Sequence, residues 1–195
     1  MDECIQIQLL KNILDKSSIS HKDEIIQQKT LKDAHIYCKI NELSGQVSGI
    51  LIENYIKIKY GMIKNDASRC VGDVAHKDTN FEIKTSLGGK NSNKFNYVQL
   101  RMNHNCEYLL TAYYLDISNV NYRGELFIFR LSKNQIKPLI LQYGEYAHGT
   151  IHKLGEITQT DLDDTDNSKE YALRPKYGDN CWKSLLHYRI DETDI

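Results

Sequence analysis

The spacing of apolar positions changes along the chain, from helical in the first third to alternating in the middle. Residues 2 to 16 carry Cys4, Ile5, Leu9, Leu10, Ile13 and Leu14 at helical spacing, which predicts a first helix. Ser20 with Asp23 has the form of a capping box, and the helix it opens should run to about Tyr37. These two helices could pack the core, a dimer interface, or both. Ser44 and Gly45 then mark the start of a third helix, reaching Tyr60, with Gly61 as its stop. Val47, Ile50, Leu51, Tyr55, Ile58 and Met62 fall on one stripe of it, and Ile52 and Ile56 make the other side apolar too. A helix apolar most of the way round should be buried. Glu53 on this helix is either an inward-facing acid or a surface glutamate away from the Val47 stripe.

From Val71 the period becomes two. Val71, Asp73 and Ala75 predict a strand, and HKDTN after them is turn chemistry. Phe81, Ile83 and Thr85 alternate with Glu82, Lys84 and Ser86, so a half-buried strand follows, with Glu82 and Lys84 on one face. A hairpin symmetric about Lys77 and Asp78 sets Asp73 opposite Glu82. TSLGGKNSNKFN reads as a loop carrying Lys90 and Lys94. Tyr97 to Met102 suggests a strand or a first helical turn, with Gln99 and Arg101 on one face. Tyr108 to Asp116 is a continuous apolar run, as expected of a central strand, and Glu125 to Leu131 is another. Ser132 should cap a helix to Tyr143, broken or kinked at Pro138. This alternation predicts an α/β fold, with a central mixed β-sheet flanked by helices.

The last third is more polar. Asp161 to Glu170 reads as an exposed acidic loop. His148 and His152 lack a partner at metal-ligand spacing, and Gly149 and Thr150 disfavour a helix there. Arg174-Pro175-Lys176 should be extended, and Asp179 or Asn180 should cap a final helix through His187. Arg174, Lys176, Lys183 and Arg189 interleave with Tyr171, Tyr177, Trp182 and Tyr188. Such a run suits contact with a polyanion, or simply the packing of Trp182 and Leu185 on the sheet. Both hold together if the aromatics pack and the cations face out.

With 195 residues, one domain is expected. The net charge of −1 gives no global basic signature, although a local basic cleft is compatible with it. Cys4, Cys38, Cys70, Cys106 and Cys181 are scattered and odd in number, which argues against a disulfide framework and a zinc cluster. No apolar run reaches membrane-spanning length and no leader opens the chain, so a cytoplasmic, reduced protein without a membrane partner is expected.

The hairpin carries the chemistry. Two carboxylates directly opposite one another repel, and a divalent cation between Asp73 and Glu82 removes that conflict. Mg²⁺ favours oxygen ligands and often takes one or two carboxylates, leaving positions for water and phosphate oxygens. Bound metal lowers the pKa of a coordinated water, and a neighbouring lysine adds positive charge or acts as a base. A solvated strand face can show the same letters by chance.

Asp73, followed by Glu82-Ile83-Lys84, resembles the signature of the PD-(D/E)xK nuclease superfamily, which includes most type II restriction endonucleases. Gly72 stands where the family name has proline. The resemblance covers mainly residues 44 to 116. It implies a single nuclease domain, with N-terminal helices over residues 1–43, a catalytic core over 44–143 and a DNA-recognition segment over 144–195. It further implies Mg²⁺ and hydrolysis of double-stranded DNA. In that reading Asp73 and Glu82 hold the metal, with the Ile83 carbonyl as a possible third ligand. Lys84 orients or deprotonates the water, and Glu53 and Gln99 support the site, Gln99 resembling the Q-x-R element of some restriction enzymes. Lys90, Lys94, Arg101, Arg174, Lys176 and Lys183 would contact DNA, and a palindromic target would require a homodimer. The rivals are another nuclease of the same fold, acting in repair, junction resolution or a phage, and a non-catalytic DNA-binding or interaction protein.

Overall fold

The computed structural model describes residues 20–66, 70–88, 93–115, 124–147, 155–164 and 168–195. The helix expected over residues 2 to 16 lies outside them. The helix expected from Ser20 to Tyr37 is two helices, α1 (His21–Ile26) and α2 (Leu31–Ile40). The reason is local. Ser20 caps only the first, by accepting from the Lys22 amide at 3.2 Å. Thr30 opens the second with a reciprocal capping box: its hydroxyl accepts from the Asp33 amide at 3.0 Å, and the Asp33 carboxylate accepts from the Thr30 amide at 3.2 Å. The third helix, α3 (Gly45–Lys59), begins at Ser44 and ends at Tyr60 as its sequence signals predict, with Gly61 left-handed at φ 62°.

The buried face of α3 differs from the expected stripe. Ser48, Leu51, Ile52, Tyr55 and Ile56 are buried, whereas Val47, Ile50 and Ile58 are exposed. The helix therefore buries one face, rotated by one residue from the predicted stripe, rather than most of its circumference.

A six-stranded mixed sheet follows. It contains β1 (Ile63–Lys64), β2 (Val74–His76), β3 (Thr79–Gly88), β5 (Glu107–Tyr114), β6 (Glu125–Leu131) and β9 (Arg189–Ile190), in the order β1-β2-β3-β5-β6-β9. Only β3 and β5 run parallel; the other pairs are antiparallel. A second sheet, β4-β8-β7, is formed by β4 (Tyr97–Arg101), β8 (Glu170–Leu173) and β7 (Glu145–Tyr146). The α/β expectation with helices on the sheet is thus met at the level of class. Strand β5 sits between β3 and β6 and is buried from Tyr108 to Tyr113, as its unbroken apolar run requires.

The main sheet divides two apolar cores. Phe81, Ile83, Leu109 and Ile128 face α1, α2 and α3. Tyr108, Leu110, Phe127, Phe129 and Leu131 face the second sheet and two further helices, α4 (Lys133–Tyr143) and α6 (Asn180–Leu186). Trp182 anchors this second core, stacked on Phe95 at 4.7 Å between centroids and edge-on to Phe129 at 5.4 Å. Truncation of such a buried ring costs about 3–5 kcal/mol.

Two local expectations are corrected here. Pro138 lies inside α4 without ending it. The bond it removes would have gone to the carbonyl of Asn134, an exposed first-turn residue that water can satisfy. The acidic stretch is not wholly loop: Thr158 caps a short helix, α5 (Gln159–Asp163), Leu162 is buried, and Asp161 pairs with Lys169 at 2.5 Å.

Candidate functional site

The hairpin forms in the expected register. Val74 pairs with Phe81, Ala75 with Asn80 and His76 with Thr79, so the turn is centred on Lys77 and Asp78. Lys77 takes the left-handed conformation such a tight turn needs. Asp73 lies just beyond the last paired residue. Its amide donates to the Phe81 carbonyl at 2.8 Å, and its Oδ2 accepts from the Ile83 amide at 2.9 Å. The amide and carbonyl of one strand residue share an edge, so the Ile83 carbonyl also lies on the Asp73 side. Gly72 has φ 83°, and a Cβ there would stand 2.8 Å from the Phe81 carbonyl oxygen. Proline, locked near −65°, is incompatible with that position.

Glu82 and Lys84 share the sheet face, as their spacing predicts. The Lys84 ammonium lies 2.6 Å from Glu82 Oε1 and 4.0 Å from Asp73 Oδ2. Glu82 is only 2% exposed. A buried carboxylate needs compensation, and here each oxygen has its own partner. Oε1 meets Lys84; Oε2 lies 3.3 Å from His104 Nδ1. Cys106 completes a group in which ligand atoms of Glu82, His104 and Cys106 all lie within 4.8 Å of one another. Burial, with the Glu82 charge beside it, pushes the Cys106 thiol up to about 12. Glu82 thus turns one oxygen toward Lys84 and Asp73 and the other toward the nitrogen and sulfur of His104 and Cys106.

A groove of about 1220 Å³ opens over Lys84. Its walls are the end of α2, the first turns of α3, β3 from Ile83 to Leu87, and Val98 and Gln99 of β4. Lys39, Lys84, Lys94 and Arg174 line it against Glu42 and Glu53, four cations to two anions. Two of these cations are ion-paired, Lys84 with Glu82 and Arg174 with Glu145, so the excess of positive charge in the lining is local and small. Glu53 lies at this wall, ion-paired with Lys57 one helical turn on. Gln99 reaches the groove by a strained route. It holds φ 59°, and the β4–β8 register shifts between Tyr97 and Leu100. Left-handed backbone in a residue other than glycine or asparagine costs about 1–2 kcal/mol.

Beside the groove, on the face of β3 that packs against α2, runs a buried polar chain. His35 Nδ1 donates to the Leu31 carbonyl at 2.8 Å, its Nε2 bonds Thr111 at 3.1 Å, and Thr111 bonds Thr85 at 2.8 Å. Burial holds His35 down at about 4, so it is neutral and Nε2 accepts from Thr111.

The structure gathers Asp73, Glu82, Ile83 and Lys84 at one point, with Glu53, Gln99, Lys94 and Arg174 around the adjoining groove. Arg174 is partly spent on the fold: it donates to Asn96 at 2.8 Å and pairs with Glu145. Lys176 is exposed and bridges Lys94 backbone to backbone. Arg101 does not join the groove, because the bulge at Gln99 breaks the alternation and Arg101 pairs with Glu170. Lys183 is exposed on α6, outside the groove lining. Lys90, His148 and His152 lie outside the described residues.

His104 and Cys106 were missed in the sequence. Their one signal is the His-x-Cys spacing just before the apolar run of β5, and nothing local ties it to Glu82 over twenty residues earlier. Comparison with known proteins is silent: no family model, no curated protein and no solved structure matches this chain.

Proposed function

We propose that this chain is a Mg²⁺-dependent endonuclease acting on double-stranded DNA, most simply a site-specific enzyme of the type II restriction class. One observation carries the reading: Asp73 Oδ2 and Glu82 Oε1 converge on the Lys84 ammonium beside a groove richer in cations than in anions. The residues fit the ion. Two carboxylates and a backbone carbonyl are the hard oxygen donors Mg²⁺ prefers, and the like-charge conflict that Lys84 now relieves is one a divalent cation relieves better. Asp73, Glu82 and the Ile83 carbonyl would hold it. Bound there, Mg²⁺ would polarise the scissile phosphate and acidify water.

The chain's own groups supply the rest. Lys84, released from Glu82, offers a compact ammonium to a phosphate oxygen or to the attacking water. Gln99 and Glu53 stand at the groove to orient that lysine and water. Lys39, Lys94 and Arg174 line the groove and offer cations for the phosphate backbone, with the exposed Lys176 on the segment bridged to Lys94. The first turn of α3 forms part of the wall and adds the positive end of a fifteen-residue helix. A palindromic target would require a homodimer, by matching of symmetry.

The test is cleavage of plasmid DNA by the purified chain with and without Mg²⁺. Asp73→Ala and Glu82→Ala are expected to abolish cutting while DNA affinity persists. Discrete fragments indicate site specificity, and a smear indicates a non-specific nuclease of the same class. Near-parental rates in both variants would remove the hairpin as the active site.

A further inference from the structure

We propose a second metal site on the far side of Glu82, built from Glu82 Oε2, His104 and Cys106, that takes a borderline-soft divalent ion of the Zn²⁺ class. The three side chains come from two segments that the parallel β3–β5 pairing brings together, since Glu82 stands beside Tyr108 in that ladder. His104 Nδ1 is 3.3 Å from Glu82 Oε2. Adjacent ligand atoms around a tetrahedral zinc lie about 3.3–3.8 Å apart, from bonds of 2.0–2.3 Å. That pair already meets the spacing, and the whole group, within 4.8 Å, needs an inward movement of roughly an ångström to close on an ion.

The donor set decides the kind of ion. Carboxylate, imidazole and thiolate together suit Zn²⁺ or Co²⁺ and do not suit Mg²⁺, which takes oxygen. On the Asp73 side the one nitrogen among the described residues is the Lys84 ammonium, which has no lone pair to give while protonated, so the two sides of Glu82 select different metals. Binding is balanced by proton release: the Cys106 S–H bond breaks, its proton passes to solvent, and the thiolate binds the ion. His104 gives up the Nδ1 proton that it donates to Glu82 Oε2, carries one on Nε2 instead, and binds through the freed Nδ1 lone pair. Three protein ligands leave a fourth position for water.

The site also has its own way in. Cys106 lines a separate cleft of about 410 Å³ with Asn105, Glu107 and Lys133, and none of the residues around the large groove lines it. Lys133 lines that cleft and Lys84 holds the other oxygen of Glu82, and the Glu82 carboxylate with the Cys106 thiolate balances both charges.

This site does not rest on the nuclease reading, and its test uses no DNA. The full-length protein, stripped with chelator, is titrated with Co²⁺ and followed by absorption. One equivalent is expected to give tetrahedral ligand-field bands and a thiolate-to-cobalt charge-transfer band, both lost when Zn²⁺ is added. Cys106→Ser should remove the charge-transfer band, and His104→Gln should weaken binding about tenfold or more. Cys70→Ser, at the exposed thiol, and Asp73→Asn, on the Lys84 side, should both keep the band. Circular dichroism in chelator establishes that each variant folds; if Cys106→Ser does not, His104→Gln alone decides. The proposal is overturned if the parent gives no thiolate band, if the band survives Cys106→Ser or vanishes with Cys70→Ser, if His104→Gln binds as tightly as the parent, or if Asp73→Asn abolishes binding.

Discussion

Acidification should destabilise this protein through His35, by an amount that follows from its burial. His35 is fully buried, with its ring between the Leu31 carbonyl and Thr111. In the folded state it is held down at about 4, against 6.5 for an exposed imidazole. The unfolded chain therefore binds a proton that the folded chain refuses between those values, and stability must fall as pH falls. The contribution is fully present above 6.5 and is lost as the pH drops toward 4. At 1.36 kcal/mol per pH unit, the full loss is roughly 3 kcal/mol, and about 2.5 kcal/mol of it has gone by about pH 4.5. That is a large share of a typical 5–15 kcal/mol stability. The assay is urea denaturation of the parent and His35→Gln at about pH 7.5 and about pH 4.5. Other titrating groups act in both proteins, so the parent should lose roughly 2–3 kcal/mol more than the variant across that span. Parallel pH profiles would refute the reasoning and mean that His35 carries a proton in the folded state, or that the site admits water. Because Thr85 hangs from the same chain and lines the groove, the loosening should reach β3 before global unfolding.

Lys84→Ala should lose cleavage with the fold retained, and Lys84→Arg should rescue poorly, because a planar fork does not replace a compact ammonium; full cleavage by Lys84→Ala in the plasmid assay would leave the residue without a catalytic role. Gln99→Gly should melt at or slightly above the parental temperature, since the roughly 1–2 kcal/mol relief of left-handed strain meets about 0.5–1 kcal/mol of added chain entropy. Its cleavage rate should nevertheless fall, and unchanged cleavage would make the Gln99 side chain dispensable. Lys176→Ala should weaken binding to specific and random duplexes alike and lower the salt-dependence slope by about one; an unchanged slope in a salt titration would remove Lys176 from the phosphate contacts.

Local chemistry was legible wherever one segment decides its own state. Ser44 and Gly61 bounded α3, Asp179 capped α6 by accepting from the Trp182 amide at 2.7 Å, and the period-two run from Phe81 put Glu82 and Lys84 on one face. The hairpin register followed from the same run, because a turn of two residues leaves a strand pair little freedom. Two helices in place of one from Ser20 were also readable, in Thr30 and Asp33, but a competing cap upstream obscured them. Which face of α3 is buried was not legible. Its apolar residues outnumber what one face can hold, and only the packing of α1, α2 and β3 decides that Tyr55 goes in and Ile50 stays out. The surroundings of Glu82 were decided in the same way. Sequence spacing sets which face of a strand a carboxylate occupies, but the parallel partner of that strand arrives from a distant segment. The β3–β5 pairing alone brings His104 and Cys106 to one oxygen of Glu82 while Lys84 holds the other, and long-range pairing of that kind leaves no periodic trace in the residues it joins.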